Sequence, residues 1–347
     1  MPNFCACEED GFCVRYRRWM GGRMRELCAG VNVDLGTAAA LREQWEREAG
    51  IAISRIATPV PLLLRTDQFL GDVVAMTAAV WSLHRSHPGE YTTAVDSRWP
   101  EVFTHNPDVV PVTSDSVEVR MHYPAIHRAN QRGIHFMQGW CEFLGMALGT
   151  NVPLLTNRPH IYFMELQPPV EDFWLVCSGG KRDMTNKRWG CYQEVVYQLK
   201  GKVSFVQVGA EEDDHPRLNG AIDAVGKTSL RELFDYARRA RGILCGVSLL
   251  MHLAAALEKP CVCIAGGREP VQWNTYPRQQ LVHTVGALSC CRSGGCWKSR
   301  VVKLNDGAEQ DKSLCENPTL DDEPVGKCMA LIRPAEVTEL VLRCNQL

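Results

Sequence analysis

The sequence predicts an α/β protein built from two doubly wound halves that face a cleft, and three observations carry that expectation. Its 347 residues exceed the roughly 250–300 at which a single core stops growing. Two stretches alternate short apolar runs with helical patterns, one beginning at Pro61 and one at Phe173, with a proline-bearing connector at 151–170 between them. Such alternation belongs to parallel sheets with helices on their faces. Finally, Gly71-Asp72 and Ser248–Leu257 each open a helix just after an apolar run, and in such sheets ligands sit outside the carboxyl ends of the strands.

The elements follow in order. Residues 1–57 form a Cys-rich extension with a helix over Thr37–Ala49, rich in Ala, Leu, Glu and Arg,. Pro59 and Pro61 end it,. Residues 58–170 make the first half: a strand at Leu62–Arg65, a helix at Val73–His84 and a strand at Tyr91–Val95. A short helix near Pro100–Thr104, a strand at Val109–Val112 and a helix at Gly139–Leu148 complete it. Residues 171–286 make the second. Its strands are Phe173–Cys177, Val203–Val208, Gly242–Cys245 and Cys261–Ala265, and its helices Trp189–Leu199, Leu230–Ala240 and Leu249–Leu257. Ser229 stands where it can cap the middle helix,. A Cys-rich segment at 287–330 and a closing helix at 331–347 follow.

Composition narrows the function. A net charge of −2 gives no global attraction to nucleic acid or an anionic membrane. The most apolar stretch, Gly242–Gly266, carries His252, Glu258 and Lys259, which suits strand, helix and strand better than a span of about 20 uncharged residues. No apolar signal region follows Met1, so a cytoplasmic protein is expected. No Walker A pattern and no G-x-G-x-x-G stands at a strand–helix junction, against P-loop and dinucleotide enzymes,.

The residues that can do chemistry sit at strand ends. Asp72 can take a proton from an attacking hydroxyl; it can equally just cap the helix it precedes. Ser178-Gly-Gly-Lys181-Arg182, with Lys187 and Arg188 beyond, puts small residues and then cations after a strand. That suits an anion, and it also suits a polar surface loop. The first turn of the Ser248 helix offers N–H groups and a positive dipole end to phosphate, while its aliphatic face reads as core.

These motifs resemble a known family. Arg65-Thr-Asp-Gln-Phe-Leu-Gly71-Asp72, His87-Pro-Gly and Asn106-Pro-Asp108 look like the N-terminal half of glycosyltransferase family 9, the ADP-heptose heptosyltransferases. Gly226-Lys-Thr-Ser229, Met251-His252-Leu-Ala-Ala-Ala-Leu257 and Pro260 are similar to its nucleotide-sugar half. The ordered set covers roughly residues 60–285. The resemblance implies a GT-B fold of two Rossmann-like domains, inversion at the sugar carbon and no catalytic metal. It assigns Asp72 as general base and Lys187, two residues before a tryptophan, as holder of the donor diphosphate. Gly71, Ser248, Met251 and His252 complete the implied donor site. One departure stands out. Where the family has an acid, a Ser or Thr and a glycine before its Met/Ser-His, this chain has Val247-Ser248-Leu249.

Sixteen cysteines are many for a reducing compartment, where clusters suggest metal ligation before disulfides. Cys290-Cys291, Cys296, Cys315 and Cys328 form one group, plausible as a four-thiolate site for zinc or iron that uses one of the adjacent pair,. This group, with its Cys296-Trp297 step, resembles the metal finger of the bacterial autotransporter heptosyltransferases, a protein-modifying branch of the family. There the finger supports assembly and acceptor docking and takes no part in bond chemistry. Of the pair, Cys290 is the preferred ligand. Cys5, Cys7, Cys13 and Cys28 form a second group, read as a structural zinc site with an iron–sulfur cluster as the alternative,.

The expected activity is therefore sugar transfer from an ADP-sugar, by resemblance an ADP-heptose, to a protein or saccharide hydroxyl, with inversion. A homo-oligomer is allowed; nucleic acid and membrane spans are not expected. The alternative is a catalytically silent GT-B scaffold that binds a nucleotide sugar or a partner protein, which the Val247 and Leu249 departures favour. An iron–sulfur redox protein ranks third.

Overall fold

The computed structural model describes residues 14–20, 23–29, 58–123, 133–165, 167–307 and 309–346. The chain divides into two compact units, Met1–Thr58 and Pro59–Leu347. In the first, β1 (Val14–Met20) pairs antiparallel with β2 (Arg23–Ala29), and Cys28 lies opposite Arg15. Cys5, Cys7, Cys13 and the helix expected over Thr37–Ala49 lie outside the described residues. Among those described, no helix is long and apolar enough to cross a membrane.

The second unit begins with β3 (Val60–Thr66), α1 (Leu70–Ser86), β4 (Tyr91–Ser97), β5 (Val117–Arg120) and α2 (Phe136–Leu148). The three strands form a parallel sheet in the order β4-β3-β5. The strand expected at Val109–Val112 does not form. Val109 makes only an isolated bridge to Thr93, because Pro111 has no N–H to continue a ladder. The third strand is Val117–Arg120, on the opposite edge of the sheet, beside β3. Helix α1 is buried almost all round, from Val73 through Val80, as a helix apolar on every side must be.

A six-stranded parallel sheet follows, in the order β11-β10-β9-β6-β7-β8. Its strands are β6 (Trp174–Val176), β7 (Phe205–Gln207), β8 (Ile222–Asp223), β9 (Gly242–Gly246), β10 (Cys261–Gly266) and β11 (Gln279–His283). Its helices are α3 (Tyr192–Gln198), α4 (Leu230–Arg239) and α5 (Leu249–Ala256). Helix α4 begins in a capping box. Ser229 Oγ accepts from the Glu232 N–H while Glu232 Oε2 accepts from the Ser229 N–H at 2.7 Å. Side-chain alternation then sorts the sheet. Leu175, Ile243, Cys245, Cys261 and Cys263 join one apolar cluster, while Trp174, Val176, Leu244, Val262 and Ile264 join another. Both faces are thus covered, the condition for an all-parallel sheet.

The first cluster is continuous through both halves: Val73, Met76 and Val80 of α1 share it with Leu250, Met251 and Leu253 of α5. Helices α1 and α5 pack directly. The chain ends in α6 (Lys327–Ala330) and α7 (Pro334–Asn345). Helix α7 returns to α3, pinned where Trp174 Nε1 donates to Asn345 Oδ1 at 2.8 Å.

Candidate active site at the junction of the two halves

The loop after β3 delivers Asp72 to the third position of α1, whose N-cap is Phe69. Asp72 is therefore not the cap residue. Burial raises its pKa from an ordinary 3.8 to about 6, against the lowering pull of Lys187, a Tyr123 hydrogen bond and Lys181; Glu269 adds to the rise. Tyr123 Oη, just past β5, also lies 3.2 Å from Gln68 Oε1. Its ring is fixed edge-on to Phe136 and Trp140, with centroids 5.4 and 4.7 Å away.

Lys187 ends a single 3-10 turn, Thr185–Lys187. Its Nζ lies 2.9 Å from Glu269 Oε1 and donates to Val247 O at 3.4 Å. Glu269 is buried just beyond β10. Burial alone would raise its pKa, but Lys187 and Arg268 outweigh that and hold it at about 2. Asn274 Nδ2 donates to its other oxygen at 2.6 Å, and Arg268 pairs with it too. Each charge here is held by another of opposite sign, as buried charges require.

The first turn of α5 meets this cluster. Ser248 is its N-cap, yet its hydroxyl turns back to Gly246 O at 3.3 Å and caps nothing. No side-chain cap competes at that terminus for the N–H groups, the arrangement that favours an anion there. His252 is buried and accepts or donates at 2.7 Å with Tyr276 Oη through Nδ1. Burial lowers its pKa to about 3, so it is a neutral imidazole near pH 7 and brings no charge to a phosphate. Met251 is buried in the core against Cys263, 3.7 Å away, rather than in a pocket.

Gly71 brings α1 close to α5. A Cβ there would stand 3.1 Å from His252 Cδ2 and 3.6 Å from Leu249 Cα. Because Tyr276 holds the His252 ring, it has little room to yield. Gly71→Ala is therefore expected to lower stability by about 1 kcal/mol or more, although alanine is intrinsically the better helix former. Thermal unfolding checks this.

The Ser178-Gly-Gly180 run differs from an open anion loop. A Cβ on Gly179 would lie 1.8 Å from Asp214 O, and Gly180 and Asp214 exchange backbone hydrogen bonds of 3.1 and 3.0 Å. The glycines admit the neighbouring backbone, and the cations that follow are what reach the site: Lys181 Nζ lies 2.9 Å from the Phe69 ring centre. Sequence reasoning missed Tyr123 and Tyr276, which carry no motif, missed Glu269, and left His135 unread. His135 caps α2, its Nδ1 accepting from the Met137 N–H at 3.1 Å. Burial lowers its pKa to about 4, and its ring lies edge-on to Tyr276 at 4.6 Å. Gly266-Gly-Arg-Glu269, a glycine pair and then charges after a strand, was the one available signal.

The C-terminal thiols lie within one another's electrostatic field. Cys290 senses Cys296, Cys296 senses Cys315, and Cys328 senses both Cys296 and Cys315. Among the described residues, however, no three His, Cys, Asp or Glu side chains are arranged so as to hold a metal ion. The expected finger ligands are thus neighbours rather than a formed ligand shell.

Comparison with known proteins matches residues 165–296 to the sequence model of glycosyltransferase family 9 (heptosyltransferase). No curated protein matches the chain by sequence. Among solved structures, the iron-containing dodecameric glycosyltransferase TibC of enterotoxigenic E. coli H10407 is similar at 17% identity and a TM-score of 0.58, over 83% of this chain and 77% of that one. TibC in complex with ADP-D-beta-D-heptose gives 18% and 0.59 over the same shares. The family 9 glycosyl transferase of Veillonella parvula DSM 2008 gives 13% and 0.55, over 83% and 97%. At such identities the likeness establishes the fold, which is GT-B. The chain thus carries a glycosyltransferase family 9 (heptosyltransferase) domain over residues 165–296, in a GT-B fold.

Proposed function

We propose that this chain transfers a sugar, with inversion, from an ADP-sugar of the heptose class to a hydroxyl acceptor. The observation that carries the reading is one carboxylate and one ammonium at the junction of the two halves: Asp72, with its pKa near 6, in the field of Lys187. The acceptor O–H gives its proton to Asp72 as its oxygen bonds to the anomeric carbon. The bond from that carbon to the diphosphate oxygen breaks in the same event, and the departing charge falls to Lys187 and the amino end of α5. That electrostatic work needs no catalytic metal. TibC is described with ADP-heptose, which supports the choice of donor. The finger tilts the acceptor towards a protein hydroxyl, and a homo-oligomer in the cytoplasm is part of the same reading.

The four thiols fit a structural metal in their hydrogen bonding. Lys298 N–H donates to Cys296, Asn317 N–H to Cys315 and Gly267 N–H to Cys328, while Asn317 Nδ2 donates to Cys290 Sγ at 3.4 Å. N–H groups aimed at sulfur suit thiolates, which accept. Cys291 differs: fully buried, its Sγ faces carbonyl oxygens, Leu288 O at 3.4 Å and Thr284 O at 3.6 Å, and not N–H groups. Cys290, Cys296, Cys315 and Cys328 would therefore hold zinc or iron, whose part is to fasten the finger. For Cys5, Cys7, Cys13 and Cys28 the proposal rests on sequence alone.

A silent scaffold remains the second reading, because Val247 stands where relatives have an acid and Lys187 is engaged by Glu269. Calorimetric titration with ADP-heptose and ADP, beside UDP-glucose and GDP-mannose, separates the outcomes. Saturable binding of the adenine compounds alone is expected. Preference for another nucleotide would keep the fold and discard the donor, and turnover of bound donor would remove the scaffold.

A further inference from the structure

The Lys187 turn is not held by its own half's sheet alone. Segment Cys296–Val301, which leaves the thiol group, runs beside it: Asn186 N–H donates to Ser299 O at 3.3 Å, Val301 N–H to Thr185 Oγ1 at 2.9 Å and Arg300 Nε to Asp183 O at 3.4 Å. On its other side the same segment takes up the stretch bearing Cys315. Ser299 N–H donates to Ser313 O at 2.9 Å and Cys315 N–H to Arg300 O at 2.6 Å. Its beginning grips the Glu269 loop, with Cys296 N–H on Gly267 O at 3.2 Å, Trp297 N–H on Arg268 O at 3.1 Å and Arg268 Nε on Lys298 O at 2.9 Å. Thr185, Asn186 and Arg300 are all buried, so these bonds are made where water cannot replace them.

We propose that Cys296–Val301 is a strut that positions Lys187, with Thr185 and Arg300 as the positioning residues, so that the order of the thiol finger is read out as affinity for the donor's diphosphate. A lysine ammonium binds phosphate as a point charge on a flexible stem. What the fold can add is to fix the backbone from which the stem reaches, and three of the strut's bonds do that within the four residues before Lys187 or at its own turn. The finger then has a role inside the catalytic unit, beyond assembly and acceptor docking. This inference rests on the donor reading above.

The test is ADP affinity by calorimetry on the full chain, with thermal unfolding to establish that each variant folds. Thr185→Val keeps the side chain's shape, touches no thiol, and leaves the Val301 N–H without its acceptor. It is expected to weaken ADP about threefold, and Cys315→Ser about tenfold, the range of one net hydrogen bond or slightly more. The deciding readout is a cycle with Lys187→Met. If Thr185 acts through Lys187, Thr185→Val changes nothing in the Lys187→Met background. A threefold loss that persists there, or unchanged affinity in both single variants, would overturn the strut. Wild-type protein that binds no ADP would instead remove the donor reading, and the strut with it.

Discussion

Asp72→Asn is expected to abolish sugar transfer and at the same time to stabilise the protein by up to about 3 kcal/mol near pH 8. Both effects come from one environment. The carboxylate's pKa stands near 6 in place of 3.8, with burial as the leading cause. Each unit is worth about 1.4 kcal/mol between protonation states. For a carboxyl raised on folding, the folded chain binds the extra proton between about pH 4 and 6, so stability falls as pH rises through that window and stays lower above it. Asparagine carries no charge and escapes the penalty, while it can still meet Tyr123. Transfer runs the other way, because only ionised Asp72 can accept the acceptor's proton. Wild-type activity should therefore rise through about pH 6 and level above it. Denaturant unfolding of both proteins from pH 4 to 8 checks the first claim, and a pH–rate profile the second. A variant that keeps measurable transfer would exclude Asp72 as the base.

Lys187→Ala is expected to lower kcat by about 10²–10³-fold, the usual loss when one preorganised donor to a developing charge is removed. Donor and ADP affinity should fall as well, since the diphosphate is charged before and after transfer. Loss of the ammonium also removes the leading favourable charge on Asp72, so the acid limb of any residual activity should move up from pH 6. Stability is expected to suffer little. Glu269 keeps Arg268 and Asn274 as partners and is not left as a bare buried charge, the case that costs most. A rate loss with the limb unmoved would mean that Lys187 and Asp72 do not share a site.

How legible the protein was in sequence varies from element to element for physical reasons. Strands β6, β9 and β10 are continuous apolar runs because both faces of their sheet are covered, and helix α4 announces itself by Ser229 and Glu232. The failed strand at Val109–Val112 has the apolar residues of a strand but contains Pro111 and stops at one bridge to β4, while the less apolar Val117–Arg120 forms the strand at the opposite edge. Apolar content there spoke less clearly than hydrogen-bonding capacity.

At the site the division is sharper. Asp72 and Ser248 could be singled out because each follows a strand at the start of a helix, and Lys187 because it stands two residues before Trp189 as in the family it resembles, local patterns that a one-dimensional reading can recognise. Tyr123 and Tyr276 carried no such pattern, and the one at Glu269 named no partner: Glu269 meets Lys187, and Tyr276 meets His252, only once β6, β9 and β10 lie side by side. Sequence by itself determined the fold class, the order of the elements and the residue types at the strand ends, all of which follow from local periodicity and turn chemistry. Only the tertiary structure decided that Asp72 is poised near pH 6, that His252 is neutral, and that Cys290 rather than Cys291 faces N–H donors. Those are properties of burial and of neighbours brought together in space, and neither is written in the spacing of residues along a chain.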